Sequence, residues 1–222
     1  MKRVAYLIVV ALAVLGSAAQ ASPIFVFNTG VDLFGTVLTD GTVGDPHYSL
    51  VSVPGGTTDT VVHTAVGGYP IGSGAWIGDD SLSAWIGPNT TFSGGPGGLY
   101  DYRTTFDLTG LNPATANLIG QWSGDDMGVD ILINGVSSGN LGGVYTSWTS
   151  FSINSGFQSG TNTLDFIVYN LGNSDTQSPT GLRVEITGTA QPEGTIPEPA
   201  SFVLLGAGLV GLSAIRRRRP QA

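Results

Sequence analysis

Apolar residues run almost unbroken near both ends of this chain, Tyr6 to Leu15 and Phe202 to Ile215, and alternate with polar residues between them. In the middle, β-branched and aromatic residues form short segments separated by Gly, Asn and Asp, which is the pattern of strands joined by turns. The segments are Ile24 to Phe27, Tyr48 to Val53, Thr60 to Thr64, Ala75 to Ile77, Tyr102 to Leu108, Ala116 to Trp122, Val129 to Ile133, Ser147 to Ile153, Thr163 to Tyr169 and Leu182 to Thr187. Short strands at this spacing predict an all-β fold, an antiparallel β-sandwich. Asn134-Gly135, directly after Val129 to Ile133, predicts a tight hairpin because both residues tolerate positive φ. The Gly- and Pro-rich stretches 54–74 and 87–99 read as loops. No fixed-period repeat is present, and the glycine runs lack the lysine and following helix of a phosphate cradle.

The two apolar ends differ in kind from the middle. Lys2 and Arg3, the run Tyr6 to Leu15, and Ala19-Gln20-Ala21 supply the charged, apolar and small-residue parts of a secretory signal, cut by signal peptidase after Ala21. The run is short and closes in Gly16-Ser17-Ala18-Ala19, which argues against an N-terminal anchor. At the other end, Phe202 to Ile215 has 14 residues. As a helix it spans about 21 Å at roughly 1.5 Å per residue, short for a hydrocarbon core of about 30 Å. A short membrane helix of this kind suits a temporary span. Arg216, Arg217, Arg218 and Arg219 would stay on the cytoplasmic side, since moving guanidinium groups through hydrocarbon is costly. Pro197 and Pro199 cannot continue a helix backwards, so the segment before the membrane is expected to be extended and accessible. The chain divides into a signal peptide at 1–21, an exported domain at 22–195 and a C-terminal tail at 196–222.

Pro197-Glu198-Pro199, the apolar helix and the arginine cluster, in that order, resemble the PEP-CTERM sorting signal of bacterial exported proteins. The resemblance implies recognition by a membrane-embedded exosortase, removal of the tail, and release or transfer to the cell surface or the extracellular polymer matrix. The alternative for the same residues is an ordinary single-pass anchor.

Charge sharpens what the exported part can do. Of eight basic residues only Arg103 and Arg183 lie in it, against all sixteen acids, so residues 22–199 carry a formal charge of −14. Such a surface has no basic patch for nucleic acid or anionic lipid. Cysteine is absent, which removes disulfides, thiolate metal sites and a cysteine nucleophile. With 34 glycines and little Glu or Lys, the chain is poor material for soluble helices.

A second resemblance covers about Tyr100 to Thr189. Tyr102 to Leu108, Gln121-Trp122-Ser123-Gly124-Asp125-Asp126, Ile133-Asn134-Gly135, Gly160-Thr161-Asn162-Thr163-Leu164-Asp165-Phe166 and Gly181-Leu182-Arg183-Val184 are similar to the strand sequence of galactose-binding-like jelly rolls. Asp126 stands where such modules more usually have Asn. The resemblance implies a jelly-roll-like sandwich. From the residues themselves, Gly160 supplies a turn, Asn162 bonds nearby backbone, and Leu164, Phe166 and Val168 share one strand face.

Candidate chemistry gathers in few places. Asp79-Asp80 and Asp125-Asp126 are the dense acidic pairs. Adjacent aspartates on one loop do not give the opposed carboxyls of a glycosidase, so no catalytic residue is assigned. Asp125 and Asp126, with backbone oxygens and Asp130, have the hard oxygens that calcium takes; the other reading is solvated turn carboxylates. No other cofactor is expected. His47 and His63 are too few for zinc and read as surface or turn residues. Among the tryptophans, Trp122 reads as packed. Trp76 and Trp85, flanking the Asp79 loop, read as the exposed pair that would stack on a sugar, or else as core. The sequence thus predicts a non-enzymatic exported protein, structural or adhesive in a biofilm or exopolysaccharide. A carbohydrate-binding module is the second reading, with polysaccharide as its partner. Exposure of Trp76 and Trp85 separates the two.

Overall fold

Every β-ladder of the fold is antiparallel. The structure is a computed structural model that describes residues 20–56, 59–89, 94–172 and 178–194. The signal segment through Ala19, the sorting residues Pro197 to Pro199, the apolar run to Ile215 and the cluster Arg216 to Arg219 lie outside the described residues. The strands are β1 (Ser22–Ile24), β2 (Tyr48–Ser52), β3 (Val61–His63), β4 (Trp85–Gly87), β5 (Gly98–Asp107), β6 (Asn117–Asp125), β7 (Met127–Ile133), β8 (Val136–Ser137), β9 (Thr149–Ile153), β10 (Thr161–Asn170) and β11 (Gly181–Ala190). Two single 3-10 turns, Ala65–Gly67 and Pro113–Thr115, are the helical elements among the described residues. No helix among those residues is long and apolar enough to cross a membrane.

One sheet runs β3-β4-β11-β6-β9, with β1 also on β11; the other runs β2-β5-β10-β7-β8. Apart from the β3–β4 and β7–β8 pairs, consecutive strands alternate between the sheets. Ala21–Glu193 forms a single unit around the core between them.

Strand β10 shows why these residues form this core. Leu164, Phe166 and Val168 are fully buried on one face, as period-2 alternation requires. Phe166 meets Trp122 of the facing sheet at 5.8 Å, Phe151 at 5.9 Å and Tyr48 at 6.3 Å between ring centroids. The Asn134-Gly135 turn has φ of 50° and 78°, and it pairs Ile133 with Val136. Asn134 donates to the Asn162 side-chain oxygen at 2.8 Å, and Asn162 donates to the carbonyls of Gln158 and Gly160. A fully buried asparagine thus ties the hairpin to the start of β10.

Two strand expectations need correction. Ala75 to Ile77 is no strand, because its backbone is bonded irregularly: the Trp76 N–H donates to Pro70 O and the Ile77 N–H to Tyr145 O. The strand in this region is β4, which begins at Trp85. The first strand is Ser22–Ile24 rather than Ile24 to Phe27, since the chain leaves the ladder after Ile24 and exposes Phe25.

Candidate functional site

On the side of the six-stranded sheet away from the core, Ser123 and Asp125 of β6 and Arg183 of β11 point outward yet are buried. A small second cluster of Ile71, Trp76 and Trp85, with Ile77 and Tyr145 against it, packs beside them. The expectation of an exposed tryptophan pair is therefore corrected. Trp76 is 4 % exposed and Trp85 fully buried, with ring centroids 4.2 Å apart. Burial is strong because each indole N–H finds a partner: Trp76 donates to Asp125 Oδ2 at 2.8 Å and Trp85 to the Ile77 carbonyl at 3.1 Å. Neither indole offers a free face to a sugar ring. Asp79, on the same loop, is exposed and accepts the Ala65 N–H at 2.7 Å.

Asp125 and Asp126 do come together. Burial pushes the Asp125 carboxyl up to about 8, helped by the charge of Asp126 and a hydrogen bond between the two carboxyls, against the Trp76 N–H. Asp126 Oδ2 accepts the Leu171 N–H. Asp130 bonds its own neighbour, the Ile131 N–H. Among the described residues no group of three or more acidic or histidine side chains converges as a cation site.

Arg183 is the residue that the sequence reading left without a role beyond the jelly-roll resemblance. It is fully buried and is the hub of this side of the sheet. Its Nε–H donates to Ser83 Oγ at 2.8 Å, Nη1 to the Gly78 carbonyl and Nη2 to the Ser83 carbonyl at 3.1 Å. Nη2 also pairs with Asp80 Oδ2 at 2.8 Å, and the half-buried Trp148 ring lies 5.0 Å from the guanidinium carbon. Partial burial raises Asp80, but the Leu82 N–H, the Arg183 charge and further hydrogen bonds outweigh it and hold its carboxyl below the usual range. The loop from Gly78 to Ser83 is thereby pinned onto β11. An arginine inside an apolar-polar alternation signals only an outward position; its partners lie about 100 residues earlier in the chain.

On the outer face of the other sheet, Arg103 pairs with the buried Asp165 at 2.5 Å. Burial first, then the Asp165 charge, lifts the neighbouring Asp101 to about 6 despite Arg103. The histidines are not both surface residues. His63, on β3, is buried, and burial lowers its pKa; His47 stacks on Phe27 at 3.7 Å.

Residues 195–219 match the PEP-CTERM protein-sorting motif. No curated protein and no solved structure matches the chain. The matched residues contain the Pro-Glu-Pro triplet, the apolar run and all four tail arginines. The chain carries a PEP-CTERM sorting signal, which marks an exported protein held transiently at the membrane and sorted by an exosortase.

Proposed function

We propose that the exported domain is a non-enzymatic, jelly-roll-like sandwich that serves as a structural or adhesive component of the cell surface or extracellular polymer matrix. The observation that carries this reading is the fate of the aromatic and acidic cluster. Trp76, Trp85, Asp125 and Arg183 are spent on holding loops to the sheet. Asp125 and Asp126 sit side by side at the end of β6, whereas a glycosidase needs carboxyls about 5–10 Å apart across a substrate cleft. The alternation of consecutive strands between sheets supports the jelly-roll description. Signal peptidase at Ala19 to Ala21 and exosortase at Pro197 to Pro199 are the processing partners of this reading.

The test is intact mass and fractionation of the protein from its native cell, against a variant with Pro197, Glu198 and Pro199 replaced by alanine. The expected parent protein lacks the arginine tail and travels with the extracellular polymer; the variant keeps the tail and stays in the membrane fraction. An uncut tail in both proteins overturns the matrix role and leaves a membrane-anchored domain.

A further inference from the structure

A shallow groove of about 550 Å³ crosses the outer face of β9, β6 and β11, bordered by Leu82 and Asn28. Its size falls within the range of small-ligand sites. In the ladder register Ser150, Gln121 and Glu185 form one row across the three strands. The next row contains Ile119, which is 51 % exposed, and Thr187. The groove thus combines aliphatic contact surface with hydroxyl, carboxamide and carboxylate groups.

The polar row is fixed from beneath. Arg183, which only donates, gives its Nε–H to Ser83 Oγ, so the Ser83 hydroxyl gives its proton to Glu185 Oε1 at 3.0 Å. Glu185 Oε2 can only accept, so the group of Gln121 that meets it at 2.7 Å is the NH2. The Gln121 carbonyl oxygen is left over, with no hydrogen bond of its own among the described residues. A chain running from a buried guanidinium to the groove therefore sets the orientation of an acceptor in advance, which lowers the ordering cost of binding.

From this geometry we propose that the groove over β9, β6 and β11 binds a neutral polysaccharide chain, with Gln121 accepting from a sugar hydroxyl and Ile119 and Leu82 packing against the ring. Charge selects this occupant. Arg183 is buried and engaged, and Arg103 lies on the other sheet, so neither arginine of the exported domain offers its charge in this groove to a uronate, phosphate or other anion. A second copy of residues 22–199 brings a like charge of −14. A neutral polyol presents hydroxyl donors to such acceptors without a desolvated countercharge. The inference gives the proposed adhesive role its contact surface, and rests on that role only for its biological setting.

The test uses the full-length chain in a polyoxyethylene detergent, which contains no sugar, run through native gels holding one polysaccharide each. The probes are a β-glucan, a galactomannan, an arabinogalactan, a starch and, as the anionic comparison, alginate. The expected result is retardation in at least one neutral gel, with any retardation by alginate, which the terminal Lys2, Arg3 and Arg216 to Arg219 can bind, unchanged by substitutions in the groove. Gln121→Ala and the exposed substitution Ile119→Arg should each weaken retardation tenfold or more, with unfolding temperatures near that of the parent. Leu99→Ser, on the exposed side of β5 in the other sheet, should leave it unchanged. Free migration in every neutral gel, or retardation in a neutral gel that survives both groove variants, overturns the proposal. Self-association abolished by Ile119→Arg, without retardation, would overturn it in favour of a contact between copies. Gel binding by a chain whose tail stays uncut in cells would leave the groove standing and remove the matrix role, so the two failures are distinct.

Discussion

Asp32, Asp40, Asp45, Asp79, Asp80, Asp107, Asp126 and Asp130 each accept a hydrogen bond from a backbone N–H. In a domain with only two arginines, backbone donors do for these carboxylates what lysines do elsewhere, and the turns gain fixed conformations in exchange. Two aspartates pair with a cation: Asp165 pairs with Arg103, and Asp80 shares Arg183 with Ser83 and Gly78, so that the loss of Arg183 reaches furthest. Replacing it by methionine keeps most of the buried volume but strands two loop carbonyls, a hydroxyl and a carboxylate. The expected cost is about 3 kcal/mol, a fall in Tm of roughly 6–12 °C for a domain of this size. Arg183→Lys restores the charge but not the fork of donors, so it should recover less than half of the loss in the same thermal unfolding measurement. Asp125 leads to a second expectation. Its oxygen faces an indole N–H and its neighbour's carboxyl bonds backbone, so calcium would have to displace both and remove a proton. Millimolar calcium is expected to leave Tm unchanged; a rise that Asp125→Asn abolishes would restore the calcium reading.

At the scale of strands, legibility followed length and alternation. β10 can be read from Gly160-Thr161-Asn162-Thr163-Leu164 onward because turn, cap and apolar face are all local. β4 cannot, since Trp85-Ile86-Gly87 is three residues between loops and its ladder partners are Val61–His63 and Leu182. The sequence leaves Trp76 and Trp85 open between exposure and core for a related reason: polar neighbours such as Asp79 and Asp80 suggest exposure, whereas what buries the indoles is a loop folded onto the sheet from elsewhere. The groove was equally out of reach, because Gln121 and Glu185 become neighbours only through the β6–β11 register. The high glycine content has a specific use at one contact between strands. A Cβ on Gly128 of β7 would lie 2.2 Å from the Trp122 ring, which is fully buried. Gly128→Ala must push that indole into Phe166 and its neighbours, an overpacking cost of about 1–3 kcal/mol. A lower Tm with a shifted tryptophan emission is the expected result, and a Tm equal to that of the parent would mean that the sheets can separate locally at no cost.

Across the whole molecule, the excess of acids makes stability depend on pH. Asp125 at about 8 and Asp101 at about 6 are carboxyls whose folded values lie above the ordinary value near 4. The sign follows from proton counts. Between about pH 4 and these values the folded chain holds protons that the unfolded chain has released, so stability falls as pH rises through that window and levels off above about 8. Self-repulsion of residues 22–199 at −14 acts in the same direction, since each carboxylate ionised on the way up adds to it. Asp80 and Asp107 work oppositely: their folded values are lowered, so their contribution is present above about pH 4 and is lost as pH falls through those depressed values. The two trends place the stability maximum in mildly acid solution, near pH 4–5, rather than at neutrality. Asp125→Asn separates the local from the global cause, because its amide oxygen still accepts the Trp76 N–H while its titration is gone. Thermal unfolding from pH 3 to 9 should show a shallower decline between pH 5 and 8 in this variant than in the parent, whereas added salt should flatten the remaining decline in both. A parent protein whose Tm rises from pH 5 to 8 would contradict the buried, protonated state of Asp125 and, with it, the packing of Trp76 against the sheet.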